Sequence, residues 1–134
     1  MTAVSELASR PSQVTGRTLR ESVEAFVAGW ERQTEIPVEV WALPERTVHD
    51  EAARLAFAVL VDAFSAVERA TYVSMALTAG ATLRLTVCDD GRGLGSQEVL
   101  DRGELRARAA ALGGRYGLAS AAGEGTTVSL ELPL

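Results

Sequence analysis

Two neighbouring segments of alternating polarity constrain the fold of this chain more than any other feature. Tyr72–Thr78 and Thr82–Cys88 each carry an apolar side chain at every second position, and the short tripeptide between them suits a hairpin. The second segment runs directly into a glycine-rich loop, Asp89–Gly95. We therefore predict two antiparallel strands that end in a loop whose backbone can approach a neighbouring group closely.

Two helices and a strand are predicted before these strands. Thr18–Gln33 has apolar residues at helical spacing and starts with a Thr-x-x-Glu capping box. Ile36–Trp41 alternates in polarity, and its proline favours a position at the edge of a sheet. The second helix is predicted to run from Thr47, where Thr-x-x-Asp has the capping spacing, to about Arg69.

The C-terminal third of the chain predicts a short helix and a hairpin. Gly95–Gly103 is polar and is expected to be a mobile loop, whereas Glu104–Leu112 is predicted to be helical and to stop at two glycines. Arg115–Ser120 and Thr126–Leu134 are predicted to pair as strands. The order α-β-α-β-β-loop-α-β-β predicts the α+β class, a two-layer sandwich with helices on one face of a mostly antiparallel sheet.

Length and composition favour one soluble domain. The chain has 134 residues, of which 47% are apolar and 23% are charged, a balance typical of globular proteins. Residues 1–16 are expected to form a tail or linker, which leaves residues 17–134 as the domain. No apolar run reaches the roughly 20 residues of a membrane span. We expect a cytoplasmic domain without membrane contact.

The charges and the single cysteine exclude several kinds of site. The formal net charge is −5, Lys is absent, and the arginines are scattered along the chain. Nucleic-acid binding needs clustered cations, so no nucleic-acid partner is expected. Cys88 is the only cysteine, which excludes an internal disulfide and a cysteine-rich metal site.

The motif that carries chemistry is Asp-x-Gly-x-Gly at Asp89, Gly91 and Gly93. A carboxylate at the end of a strand can accept a hydrogen bond from an exocyclic amine, and glycines allow the backbone to approach a flat ring. The same residues also make an ordinary turn. The motif alone therefore leaves a ligand site and a simple turn open.

The arrangement of motifs along Thr18–Leu134 resembles the ATP-binding domain of two-component sensor histidine kinases, a GHKL-type ATPase domain. The most specific parts are D-D-G-R-G after a strand and the C-terminal segment Ala110–Leu134, A-A-L-G-G-R-Y-G-L-A-S-A-A-G-E-G-T-T-V-S-L-E-L-P-L. The likeness is greatest to the branch that pairs with helix-turn-helix response regulators. It implies ATP as the ligand, with phosphoacceptor and dimerisation helices and a response regulator as partners. A cytoplasmic part of a membrane-anchored sensor is compatible with it.

The resemblance also implies roles for individual residues. Asp89 would bind the amino group of adenine, and Gly91 and Gly93 would lie beneath the base. Gly125 and Thr126 would lie beside the pocket, where Thr126 could reach the edge of the adenine directly or through a water. A hairpin turn is the simpler interpretation of these last two residues, and one segment can serve both purposes.

The helical motif of that family, Glu-Ala-Leu-x-Asn, is altered in this chain. The nearest match is Asp62-Ala63-Phe64-Ser65-Ala66, in which Asp62 is a shortened candidate for the catalytic acid. Ala66 has no oxygen for Mg²⁺, a shift by one residue would offer only Ser65, and the chain contains no Asn. Because Mg²⁺ requires oxygen ligands, we assign no metal ligand and expect weakened binding of ATP.

The lid motif, Gly-x-Gly-Leu, is also missing. One alignment places Val99–Arg102 there and another places Arg102–Leu105 there. Asp101 or Glu104 would repel phosphates that normally approach this helix N-terminus, although Arg102 could offset part of that repulsion. The adenine end of the site is therefore expected to be intact and the phosphate end weakened.

Other conspicuous residues have simpler explanations. His49 is the only histidine, but it precedes a helix of the domain rather than lying in a two-helix dimerisation module, so a solvent-facing helix start is favoured over a phosphoacceptor. Cys88 is expected to be buried. Trp30 and Trp41 are expected to pack the first helix against the first strand. Arg106 and Arg108 fit a solvated helix face better than a phosphate contact.

Three functions remain in consideration. The first is the ATP-binding and catalytic domain of a sensor histidine kinase with weakened nucleotide binding, expected to be inactive in isolation because no acceptor helices accompany it. The second is a non-catalytic module of the same fold that acts through protein contacts. The third is a free-standing serine kinase of an anti-sigma pathway, which the missing Asn also disfavours.

Overall fold

The computed structural model describes residues 18–120 and 123–134, without the side chains of residues 96 and 97. The predicted N-terminal tail, residues 1–16, lies outside the described residues. Its separation from a domain that begins at residue 17 stays a prediction. No helix in the described ranges is both long enough and apolar enough to cross a membrane.

The first helix begins as its sequence predicts. Helix α1 spans Leu19–Thr34 and follows the N-cap Thr18. The Thr18 hydroxyl accepts a hydrogen bond from the Glu21 amide at 3.1 Å, and the Glu21 carboxylate accepts one from the Thr18 amide at 3.0 Å. This reciprocal pair is the capping box, which satisfies backbone donors that the first turn leaves unpaired.

The predicted bounds of the second helix were wrong at both ends. Helix α2 spans Asp50–Ser65, its N-cap is His49, and no side chain caps it. It starts later than Thr47 because Val48 is buried and His49 is still extended. The exposed His49 at the helix start fits the structural explanation given above.

The residues that follow α2 leave the helical path and contact the glycine-rich loop. The Glu68 carbonyl accepts a hydrogen bond from the Arg92 amide at 2.9 Å. The next residue, Arg69, has a φ of 61°, which is incompatible with a continuing helix. Both residues therefore lie beyond the helix that was predicted to contain them.

Five strands form one sheet within the described residues. They are β1 Val38–Ala42, β2 Val73–Ala79, β3 Thr82–Asp89, β4 Arg115–Ser120 and β5 Thr126–Pro133. The spatial order is β1-β2-β3-β5-β4. Strands β1 and β2 are parallel, and the other three neighbouring pairs are antiparallel, as expected for a mostly antiparallel sheet.

Two short helices lie between β3 and β4. Helix α3 spans Ser96–Leu100 and helix α4 spans Gly103–Ala111. The predicted loop over residues 95–103 was therefore partly wrong, because hydrogen bonds of the Glu98 side chain, described below, fix a helical turn there. The chain leaves α4 through Gly113, whose φ of 81° is the left-handed cap that the sequence predicts.

The core lies between the helices and one face of the sheet, which confirms the predicted α+β sandwich. Alternate residues of β2 and β3 are at most 2% exposed, namely Val73, Met75, Leu77, Leu83, Leu85 and Val87. On α2, Leu55, Val59 and Phe64 are equally buried. Cys88 belongs to the other face of β3 and is only partly buried.

The expected pairing of the two tryptophans is wrong. Trp30 packs edge-on against Phe64, with ring centroids 5.0 Å apart, whereas Trp41 is 70% exposed. The register between β1 and β2 is irregular between Val40 and Ala42. Such an irregularity redirects the side chain of the extra residue, and here it leaves Trp41 in solvent.

Candidate nucleotide-binding site

Asp89 is the last residue of β3 and has one carboxylate oxygen available. Its Oδ1 accepts a hydrogen bond from the Gly91 amide at 2.8 Å. Among the described residues, Oδ2 accepts no hydrogen bond. Partial burial raises the pKa of Asp89, the Gly91 amide opposes this rise, and the charge of Asp90 adds to it. Asp89 is therefore held in place through one oxygen while the other can accept a donor from a ligand.

Asp90, the adjacent acid, has a structural role instead. Its carboxylate accepts hydrogen bonds from the amides of Thr71 and Tyr72 at 2.7 and 3.2 Å and also from the Thr71 hydroxyl. The hydrogen bonds from Thr71 lower the pKa of Asp90. Asp90 therefore attaches the loop to the residues just before β2, whereas Asp89 keeps one oxygen for a ligand.

Two glycines are required where the loop and β5 approach other backbone. A Cβ on Gly91 would lie 2.2 Å from the Glu68 carbonyl oxygen, and one on Gly125 would lie 2.1 Å from the Asp89 carbonyl oxygen. Gly125 also has a φ of 87°. The sequence prediction placed Gly91 beneath a ligand and Gly125 beside it, but in the structure both also allow close packing of the protein on itself.

Thr126 is the first residue of β5 and pairs with Asp89 on the neighbouring strand β3. It is 9% exposed, and its hydroxyl is 2.9 Å from the Ser120 hydroxyl. Ser120 also accepts a hydrogen bond from the Leu94 amide at 2.7 Å and donates to the Gly125 carbonyl at 3.2 Å. When Ser120 donates to Gly125, the Thr126 hydroxyl donates to Ser120, and its lone pairs can accept from a ligand or water.

Ser120 was not identified from the sequence. The signal that could have revealed it is the register of the final hairpin, in which Ser120 pairs with Thr126.

Gly93 lies in the glycine-rich loop after β3. Its φ is 80°, and its carbonyl accepts a hydrogen bond from the Arg92 guanidinium at 3.0 Å. The structure thus brings Asp89, Gly91, Gly125 and Thr126 together at one end of β3 and β5.

Asp62 lies elsewhere, on α2, and is held by Arg102. The Arg102 Nε is 3.0 Å from Oδ2 of Asp62, and its Nη2 is 3.4 Å from Oδ1. The third nitrogen, Nη1, donates to the Glu98 carbonyl at 2.8 Å. Arg102 is only 14% exposed at its side chain and Asp62 36%. The candidate catalytic acid is therefore engaged through both oxygens.

The lid, which we define as residues 95–102, is also fixed at its other end. The Glu98 carboxylate accepts hydrogen bonds from the Gly95 amide at 2.9 Å and from the Arg92 guanidinium at 3.0 Å. The Gly95 amide and Arg92 lower the pKa of Glu98. The lid is consequently attached both to the glycine-rich loop and, through Arg102, to α2.

Tyr116 on β4 lies near the Asp62–Arg102 pair. It is 7% exposed, and its hydroxyl has no hydrogen-bond partner among the described residues. Burial raises the pKa of Tyr116, as does the charge of Asp62, while Arg102 and Arg106 oppose the rise. The Arg106 guanidinium carbon is 5.6 Å from the centroid of the Tyr116 ring. Sequence reasoning missed this buried hydroxyl.

The residues present do not fit a Mg²⁺ ion. Within residues 18–120 and 123–134, no group of three or more His, Cys, Asp or Glu side chains could hold a metal. Ala66 forms the C-cap of α2 through its backbone and has no side-chain oxygen. Mg²⁺ demands near-octahedral oxygen ligands, which this arrangement does not supply.

Solved structures of a histidine kinase are among those similar to this one. The histidine kinase domain from the Erythrobacter litoralis EL346 blue-light activated histidine kinase gives a TM-score of 0.60 at 23% identity, covering 87% of this chain and 61% of that chain. The Erythrobacter litoralis EL346 blue-light activated histidine kinase gives 0.59 at 24% identity, covering 87% of this chain and 42% of that chain. This chain has the fold of a histidine kinase domain.

The likeness to these kinases lies in the fold alone. The chain spans less than two thirds of the length of either structure. No family model matches the sequence, and no curated protein matches it significantly. The functional assignment therefore depends on the residues of the site.

Proposed function

We propose that this chain is the nucleotide-binding domain of a sensor histidine kinase in a two-component system, with a weakened hold on the phosphates. The observation that carries the proposal is the free carboxylate oxygen of Asp89, at the end of β3 and directly across from Thr126. The histidine kinase fold supports it. We place the domain in the cytoplasm, where ATP is available.

The chemistry of the base site follows from the donors and acceptors. An ionised aspartate only accepts hydrogen bonds, and the exocyclic amine of adenine only donates them, so Asp89 Oδ2 and the amine are complementary. Gly91 fixes the orientation of the carboxylate through Oδ1. When the Thr126 hydroxyl donates to Ser120, its lone pairs could accept from the adenine amine, or from a water that also donates to a ring nitrogen.

The phosphate end is less favourable. Phosphoryl transfer depends on positioning and on Mg²⁺, which neutralises the charge of the transferred group. Asp62 is paired with Arg102, and Ala66 provides no ligand. We therefore infer weak binding of Mg²⁺-ATP and slow or absent transfer. The phosphoacceptor and dimerisation helices of a histidine kinase and a response regulator are the partners that this function requires.

A second candidate is a non-catalytic module that acts through protein contacts. The attachment of the lid to α2 through Arg102 and to the glycine-rich loop through Glu98 favours it, because both links oppose the opening that nucleotide exchange requires. The two candidates differ in whether adenine nucleotides bind at all.

An NMR titration of the ¹⁵N-labelled chain with Mg²⁺-ATP tests the proposal. We expect shifts at the Gly91 and Gly125 amides with a dissociation constant on the order of millimolar, about −4 kcal/mol. Asp89→Asn keeps an acceptor for Gly91 but presents a donor-bearing amide to the ligand, and we expect at least about a tenfold loss of affinity. No shifts in the wild-type chain would favour the non-catalytic module.

Asp90→Asn is the matched control. It removes the same charge one residue away, but its side chain binds Thr71 rather than the site. We expect near wild-type affinity from this variant once its folding has been checked. Equal affinity of the Asp89 variant and the wild-type chain, or tight Mg²⁺-dependent binding, would contradict the proposal.

A further inference from the structure

The contact between α2 and the lid engages all three nitrogens of Arg102. Two of its nitrogens bind the two oxygens of Asp62, and the third binds the Glu98 carbonyl. Paired, charge-assisted hydrogen bonds of this kind are among the strongest that side chains form. A phosphate group could bind the edge of the guanidinium that carries Nε and Nη2 only by displacing Asp62.

Because of the same contact, the Asp62 carboxylate is not available as a ligand for a divalent cation. Both Asp62 oxygens face Arg102, and Ala66 one turn further offers no side-chain oxygen. A cation placed there would also meet the positive guanidinium. The residues at this end of the site therefore do not fit the Mg²⁺-bound triphosphate that the fold suggests.

The surroundings strengthen the pair and weaken the attraction for an added anion. The side chain of Arg102 is 14% exposed and that of Asp62 is 36% exposed, so solvent screens the pair only in part. Glu104 occupies the first turn of α4. A carboxylate already present at a helix N-terminus reduces the benefit of bringing a phosphate there.

From these contacts we infer that the site takes an adenine nucleoside or nucleotide without a divalent cation, and that the phosphates add little to its affinity. Recognition is confined to the base end, at Asp89 and Thr126, and the Asp62–Arg102 pair stays closed beyond it. The inference rests on the proposed adenine site and specifies its ligand class.

The test compares adenosine, AMP, ADP and ATP by NMR titration of the full chain, each with Mg²⁺ and with EDTA. We expect the four dissociation constants to agree within about threefold and to be unchanged by Mg²⁺. Binding of ATP about tenfold or more tighter than adenosine, or a clear gain with Mg²⁺, would overturn the inference while leaving the adenine site in place. Binding of none of the four would overturn the adenine site and the inference together.

The variant Asp62→Ala tests the cause. It releases two nitrogens of Arg102, so ATP should bind at least about fivefold tighter than in the wild-type chain while adenosine is unchanged. Glu104→Ala is the control for charge alone: it also removes one negative charge from this region but leaves Arg102 paired, so we expect a smaller gain for ATP than from Asp62→Ala. An equal gain from Glu104→Ala, or no gain from Asp62→Ala in a chain whose spectrum shows it folded, would refute the role of the pair.

Discussion

Replacing Gly125 by Ala tests the close approach of β5 to Asp89, and Gly123→Ala is its matched control. Both glycines have a left-handed φ, 87° and 80° respectively. A Cβ at position 123 would meet nothing within 4 Å, whereas one at position 125 would lie 2.1 Å from the Asp89 carbonyl oxygen. The two variants therefore share the backbone strain and differ in the steric overlap.

The expected magnitudes follow from this difference. The left-handed conformation should cost each alanine variant about 1 kcal/mol of unfolding free energy. In Gly125→Ala the β3–β5 pairing must also shift to relieve the overlap, which adds roughly 1–3 kcal/mol by analogy with overpacked sites. We expect a total loss of about 2–4 kcal/mol for Gly125→Ala and about 1 kcal/mol for Gly123→Ala.

Equilibrium denaturation in urea, followed by circular dichroism, measures both losses. Unchanged slopes against denaturant would show that only stability has changed. Because the overlap displaces Asp89, Gly125→Ala should also lose adenosine binding, whereas Gly123→Ala should retain it. Equal destabilisation of the two variants would refute the packing that we describe at the end of β3.

Three further predictions concern buried or titrating groups. Tyr116→Phe should stabilise the free chain by about 1 kcal/mol, because it removes a buried hydroxyl that has no partner among the described residues; a loss of stability in thermal unfolding would contradict this. Burial raises the pKa of Asp89, so ionisation of this carboxyl opposes folding. The unfolding free energy of Asp89→Asn should therefore increase relative to that of the wild-type chain as the pH rises from about 3 to 7. A difference in unfolding free energy that does not change with pH would show that Asp89 is not buried as described. Ala66→Asn alone should confer no Mg²⁺ dependence on ATP binding, because Arg102 still holds Asp62. The double variant Ala66→Asn with Arg102→Ala should make ATP binding partly dependent on Mg²⁺. NMR titration with and without EDTA measures both effects.

Local signals in the sequence predicted most of the fold. The capping box of Thr18, the alternation of β2 and β3, and the glycine stop after α4 all depend on neighbours within a few residues. The bounds of α2 could not be predicted in this way. The helix ends at Ser65, and the residues beyond it are held instead by a hydrogen bond between Glu68 and Arg92, which only the folded chain brings together.

The candidate site shows the same division between local and distant information. Asp89 and the glycines form a contiguous motif, and the structure places them at one end of the sheet. The pairing of Asp62 with Arg102 joins residues 40 positions apart, and neither residue by itself indicates it. Trp41 illustrates the reverse error, because an irregular register between β1 and β2 exposes a side chain that composition alone would bury.

The hydrogen bond between Asp89 and the amine of adenine can be tested most directly by comparing adenosine with inosine. Inosine carries a carbonyl oxygen where adenosine carries the amine, so it would face the Asp89 carboxylate with an acceptor. NMR titration of the wild-type chain should show adenosine binding at least about tenfold more tightly than inosine, the effect expected when a buried polar group is left unpaired. Equal binding of the two nucleosides would contradict the role that we assign to Asp89.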